Sequence, residues 1–192
     1  MLPLLLASSS VYRRELLSRL HLPFTCSSPD IDESHRTGES AIELVKRLAE
    51  QKARALAASH PGHLIIGSDQ VAALEGRIIG KPHTFENALE QLLAVSGKRV
   101  SFLTGLALLN SDTGHCQIDC VPFTVHMRTL DAARIERYLL TEQPYDCAGS
   151  FKAEGLGVSL FRATEGVDAT SLVGLPLIRL VDMLLAEGAQ IP

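Results

Sequence analysis

Apolar runs and amphipathic stretches alternate along this chain from its first residues. Leu4, Leu5 and Leu6 form an unbroken apolar run, which predicts a buried strand. Three hydroxyls (Ser8, Ser9, Ser10) end it, and Val11 to Leu20 then carries helical spacing with two arginines. Pro23 to Ser27 reads as a short strand and Ser28 to Ser34 as a polar loop. From Glu39 to Ala58, Ile42, Val45, Leu48, Ala49, Ala53 and Leu56 recur at helical spacing. Ser40 and Glu43 suit a capping box at its start, and His60-Pro61-Gly62 stops it.

Leu64 to Val71 reads as a strand that turns polar at Ser68, Asp69 and Gln70, so Asp69 is expected where the strand runs out. Gly76 marks a turn before Ile78-Ile79-Gly80-Lys81-Pro82, and Thr84 to Ala94 is amphipathic. Val100 to Asn110 and Gln117 to Met127 are long β-rich runs joined by Ser111-Asp112-Thr113-Gly114, a hairpin signal. Asp131 suits the N-cap of a helix to Leu140. Gly155 to Phe161 reads as another strand, and Leu172 to Glu187 as a closing helix broken early by Pro176. This alternation of periods predicts an α/β protein. No repeat or linker divides the chain, so the expectation is one domain over residues 1–192, with length enough for two half-size lobes.

Composition narrows the function. An apolar share of 46% and a charged share of 21% describe an ordinary soluble globular protein. A net charge of -4 argues against a dedicated nucleic-acid binder, whose affinity rests on clustered Lys and Arg, but a nucleotide needs only a few placed cations. Polar residues interrupt the first apolar run far short of a membrane span, and it lacks the basic start of a signal peptide, so a cytoplasmic protein is expected. Cys26, Cys116, Cys120 and Cys147 form no CxxC pair. His115, Cys116 and Cys120 lack a fourth ligand, which disfavours a zinc site.

Several positions can carry chemistry, each beside a plainer reading. A strand that passes into a helix through Ser8 and Ser10, with Arg13 in the first turn, suits a phosphate; an ordinary serine N-cap with surface arginines is the alternative. Asp69, outside an apolar strand, can hold a divalent metal or take a proton from water, or simply cap a turn. Lys52, at the edge of a helical apolar face, and Lys81, between Gly80 and Pro82, are candidate cations or surface lysines. Glu33 follows Asp32, and such a pair can share a metal or stay solvated. Gly149 to Gly157 is a glycine-bracketed loop that matches neither a Walker A nor a dinucleotide motif.

Taken in order, Ser8-x-Ser10-x-x-Arg13, Asp32-Glu33, Ala49-Glu50-Gln51-Lys52-Ala53, Gly67-Ser68-Asp69, Gly80-Lys81-Pro82, Ala148-Gly149-Ser150-Phe151 and Val173-Gly174-Leu175-Pro176 closely resemble the Maf family over nearly the whole chain. Gly67-Ser68-Asp69-Gln70-Val71, Cys147 to Lys152 and Glu154-Gly155 resemble its YceF-like subgroup, which removes pyrophosphate from 7-methyl-GTP. Val11 departs from the proline common in the family, and Tyr12 stands where the nearest members carry tryptophan.

The resemblance implies an elongated mixed β-sheet flanked by helices, related to the inosine-triphosphatase-like proteins, with a central cleft. It implies a nucleoside-triphosphate pyrophosphatase that cuts between the α and β phosphates, uses Mg²⁺, Mn²⁺ or Co²⁺, and is often a dimer. Matched by position, Asp69 is the general base, a metal ligand or both, and Glu33 an acidic metal-site residue. Ser8, Ser10, Arg13, Lys52 and Lys81 handle phosphate, while Tyr12, Gln70 and Glu154 select the base. Two other readings stand beside this one: a dTTP/UTP pyrophosphatase of the same family, and a regulatory nucleotide-binding protein linked to cell division.

Overall fold

The computed structural model describes residues 2–191. A seven-stranded sheet has the order β2-β1-β3-β5-β6-β7, with β4 paired to β3. Its strands are β1 (Leu4–Ala7), β2 (Phe24–Ser27), β3 (Leu64–Leu74), β4 (Arg77–Ile79), β5 (Arg99–Asn110), β6 (Cys116–Met127) and β7 (Phe161–Gly166). The helices are α1 (Val11–Ser18), α2 (Ala41–Ala55), α3 (Phe85–Val95), α4 (Ala132–Glu142), α5 (Thr170–Val173) and α6 (Leu177–Ala186). Strand β1 runs parallel to β2 and β3, whereas β4 and β7 pair antiparallel with β3 and β6, so the sheet is mixed. Among the described residues, no helix is long and apolar enough to cross a membrane.

The chain divides into two compact units. The first takes the residues up to Asp69, Thr104–Val121 and the residues from Asp168 onward; the second takes Gln70–Leu103 and Pro122–Val167. In the first unit, β1 explains why its apolar run is unbroken. Leu4 and Leu6 face one buried layer with Leu16 and Leu17 of α1 and Leu180, Met183 and Leu184 of α6. Leu5 and Ala7 face the other with Ala49 and Ala53 of α2. Strands covered on both faces need apolar side chains at successive positions. In the second unit α3 packs on α4, and Phe151 stacks edge-on against Phe102 with ring centroids 5.1 Å apart.

Local signals hold at most helix ends. Ser40 and Glu43 form the capping box, and Ser10, Thr84 and Asp131 are N-caps. The closing helix is two helices, with Pro176 at the N-cap of α6.

Two expectations are corrected. Asp69 does not sit at the end of a strand: β3 continues to Leu74, because Glu75 and Gly76, both at positive φ, turn it tightly into β4. The 155–161 segment is not a strand either. Leu156–Leu160 is a 3₁₀ turn, with the Gly155 and Gly157 amides both donating to the Lys152 carbonyl. Its alternating leucine and valine do not share a buried face, since Leu156 is 41% and Val158 58% exposed. The strand follows at Phe161, on the rim of the sheet, where one paired edge suffices and an apolar face is not needed.

Candidate active site

In the first unit the site begins with close approach between α2 and the sheet. Gly67 on β3 and Gly105 on β5 lie against the backbone of α2; a Cβ at either would come 2.0 Å from the Ala49 carbonyl or 2.1 Å from that of Val45. Alternation along β3 then puts Asp69 on the same face as Gly67, toward α2, and Ser68 on the opposite face. Lys52, one residue before Ala53 on α2, meets Asp69 there. Its Nζ donates to Asp69 Oδ1 at 2.7 Å and pairs with Glu33 Oε1 at 2.9 Å. Lys52 and Asp69 are buried, while the Glu33 side chain is 57% exposed. Lys52 is therefore no surface lysine; it is the cation on which two carboxylates converge.

Asp32 does not join them. Its Oδ1 accepts from the Ser34 amide at 2.9 Å, a local turn bond that holds its pKa below the usual carboxylate value. The acid paired with Glu33 comes instead from β3.

On the other face of β3, Ser68 donates its hydroxyl toward the carbonyls of Gly105 at 2.9 Å and Gly174 at 3.0 Å. Arg13 Nε donates to the same Gly174 carbonyl at 2.8 Å. Burial pushes the Arg13 guanidinium pKa down, and the charges of Asp69 and then Glu33 pull it back up, so Arg13 belongs to the same electrostatic cluster. The serines before it order the strand-to-helix turn. Ser8 Oγ accepts from the Ser10 amide at 3.1 Å, and Ser10 Oγ accepts from the Arg13 amide at 3.4 Å. The N-cap reading of Ser10 is thus observed, and each hydroxyl still carries a hydrogen that can be donated. Tyr12, beside them, is 36% exposed.

Asp168 was not singled out by the sequence. It is 3% exposed and accepts from the Thr170 amide at 2.9 Å, the Thr170 hydroxyl at 2.6 Å and the Ile178 amide at 2.8 Å. It thereby ties the starts of α5 and α6 together and fixes the turn that presents the Gly174 carbonyl. A lone aspartate among loop residues carries no local signal of this, because Ile178 is ten residues away.

The second unit contains the remaining candidates. Lys81 and Glu154 are exposed, and Gln70 is the next residue of β3 after Asp69. Burial pushes the Cys147 thiol up to about 11; Glu154 and Asp146 add to that shift, while Lys152 and Lys81 oppose it. Lys81 and Glu154 therefore lie within electrostatic reach of one thiol. The loop bearing Glu154 is held by Glu142, whose Oε2 accepts from the Leu156 amide at 2.7 Å and whose Oε1 pairs with Lys152 at 3.4 Å.

Among the described residues, no group of three or more His, Cys, Asp and Glu side chains converges as a ready metal cage. Glu33 and Asp69, both on the Lys52 ammonium, are the two carboxylates here that could hold a hard divalent ion, the rest of its oxygens coming from a ligand and water.

These features define a class: α/β proteins with a buried carboxylate–lysine–arginine centre built around one sheet strand. A family model described as Maf-like protein matches residues 3–187, and the chain belongs to that family. A Pseudomonas fluorescens protein named 7-methyl-GTP pyrophosphatase is 85% identical over 192 residues, which is 100% of both chains. Proteins of the same name from Pseudomonas aeruginosa and Alcanivorax borkumensis are 71% and 60% identical over 189 residues, 98% of this chain and 98% and 96% of theirs. Among solved structures, the Staphylococcus aureus Ham1 protein is similar with a TM-score of 0.54, over 97% of this chain and 100% of that one. At 15% identity that likeness is one of fold.

Proposed function

We propose that this chain hydrolyses a nucleoside triphosphate between the α and β phosphates, releasing pyrophosphate, and that its substrate is 7-methyl-GTP. The observation that carries the reading is the buried Lys52 ammonium bonded to both Asp69 and Glu33, with Arg13 in the same field. The substrate is supported by full-length relatives at 60–85% identity that bear the name 7-methyl-GTP pyrophosphatase.

Cleavage needs a positioned water, a group to take its proton and cations for the charge on the departing pyrophosphate. Glu33 and Asp69 would hold a divalent ion, Mg²⁺, Mn²⁺ or Co²⁺, which when bound offsets phosphate charge and makes water more acidic. Asp69 accepts the proton of the attacking water at its carboxylate, an orientation set by the Lys52 bond to Oδ1. Arg13 and Lys52 stabilise phosphate charge, and Ser8 and Ser10 donate their hydroxyl hydrogens to phosphate oxygens. In the second unit Lys81 serves as a further phosphate cation. Glu154, with Gln70 and Tyr12, reads the base: methylation at N7 makes the purine cationic, which a carboxylate and an aromatic face both favour.

The test is pyrophosphate release from 7-methyl-GTP, GTP, dTTP, UTP and ITP with each metal, beside Asp69→Asn. Preference for 7-methyl-GTP, lost in the variant, is expected. Preference for dTTP or UTP overturns the substrate, and no release from any of them overturns the activity.

A further inference from the structure

We infer that Arg47 is a positioning residue for Glu33: its guanidinium clamps the loop that delivers Glu33 to Lys52. The inference rests on the reading of Glu33 as a ligand of the divalent ion.

Residues 28–36 have no regular structure, and Glu33 lies among them with its carboxylate mostly in solvent. With one partner in solvent, the pair does little by itself to fix Glu33, because ordering a loop outside regular structure offsets its attraction. Something else has to hold Glu33 at 2.9 Å from Lys52.

Arg47 does so with three nitrogens. Nη2 donates to the Ser34 carbonyl, one residue after Glu33, at 3.0 Å. Nε and Nη2 grip the Glu39 carboxylate at 2.5 and 2.8 Å, and Nη1 donates to Gln51 at 3.0 Å. The Arg47 and Glu39 side chains are only 14% and 9% exposed. Glu39 extends the grip by accepting from the Arg36 amide at 3.1 Å. Both ends of the 34–39 segment are thus tied to one guanidinium, five residues before Lys52 on the same helix. Helix α2 supplies both the anchor of the loop and the cation that meets its carboxylate.

Packing does not substitute for the clamp. A cavity of about 330 Å³ opens beside Arg47, with Ile31, Asp32 and Ser34 on the loop side and Gln51 and Arg54 on the helix side. The loop has room to shift once the guanidinium is gone. Helix α2 itself has independent support in its capping box and its buried Leu44, Val45, Leu48 and Ala49, so loss of the clamp loosens the loop and spares the helix. Lysine cannot replace the planar fork, since its single ammonium cannot reach the same three acceptors in their directions.

The test reads Mn²⁺ binding to the substrate-free protein by the EPR signal of unbound Mn²⁺, for wild type, Arg47→Lys, Arg47→Ala, Glu39→Gln and Glu33→Gln. Arg47→Lys is expected to weaken Mn²⁺ binding about tenfold or more, to approach the loss in Glu33→Gln, and to keep a near-wild-type Tm. Raising Mn²⁺ should recover most of the kcat of Arg47→Lys but none of that of Asp69→Asn. If Arg47→Ala does not fold, Arg47→Lys and Glu39→Gln carry the comparison. Wild-type Mn²⁺ affinity in the Arg47 and Glu39 variants, with a loss in Glu33→Gln, overturns the inference and leaves the role of Glu33 standing. Wild-type affinity in Glu33→Gln overturns both.

Discussion

Replacing Gly67 with alanine puts a methyl group 2.0 Å from the Ala49 carbonyl oxygen and 3.0 Å from the Ala53 amide nitrogen. Carbon and oxygen in close contact sit about 3.3 Å apart, so α2 or β3 has to give by roughly 1 Å. Neither is free to do so, because Ala49, Ala53 and Ile66 are fully buried and the obstacle is backbone, not a side chain that can swing away. Overpacking of this kind costs about 1–3 kcal/mol. The unfolded chain loses flexibility when glycine goes, which offsets about 0.4–1 kcal/mol. A net loss of about 1–2 kcal/mol lowers the Tm of a domain this size by roughly 2–8 °C. Turnover should suffer more than stability. Lys52 and Asp69 flank this contact at 2.7 Å from each other, and misplacement of roughly 1 Å costs up to about a hundredfold in rate. Thermal unfolding by circular dichroism and pyrophosphate release read the two effects. Gly80→Ala, whose Cβ meets nothing within 4 Å, is the stability control. A Gly67→Ala protein at least as stable as wild type and fully active would refute the argument that close helix–strand approach builds the centre.

Lys52→Met removes the cation between Asp69 and Glu33 and should cost about 3 kcal/mol in urea unfolding; adding Asp69→Asn should recover part of that loss, because the two effects are coupled. Glu154→Gln should narrow the preference for 7-methyl-GTP over GTP in a competition assay, and an unchanged ratio removes Glu154 from base recognition. Arg47 hydrogen bonds hold the Glu39 carboxyl at about 2, below its ordinary 4.5, and Asp32, Glu43 and Glu187 are shifted the same way. A lowered carboxyl stabilises the fold above its unfolded pKa and stops doing so as pH falls through the folded value. Stability should therefore decline from about pH 4.5 toward 2, with a smaller decline in Arg47→Met, as followed by chemical denaturation across that range. Burial pushes the Cys116 and Cys147 thiols up to about 11 whereas Cys26 is exposed, so mass spectrometry after brief iodoacetamide treatment at pH 8 should find Cys26 modified first.

The sequence by itself determined the elements whose physics is local. Period, capping residues and stops marked α1 to α4, and the unbroken apolar run marked β1 as a buried strand, whose two covering layers only the fold supplied. It also supplied, through the order of its motifs, the family and the residues expected to carry the chemistry. At residues 155–161, read as a strand, a turn closes locally on the Lys152 carbonyl and the Leu156 amide is taken by Glu142 of α4, a distant partner that no period records. Asp69 shows the same limit. Its residue type was legible, but its place inside β3 depends on a turn at Glu75-Gly76, and its partner depends on the face that Gly67 turns toward α2. Partners far apart in the chain, such as Arg47 with Ser34 and Glu39, Asp168 with Ile178, and Ser68 and Arg13 on the Gly174 carbonyl, were decided only by the folded structure. Local sequence encodes backbone preference, whereas a site is made by side chains that only packing brings within hydrogen-bond reach.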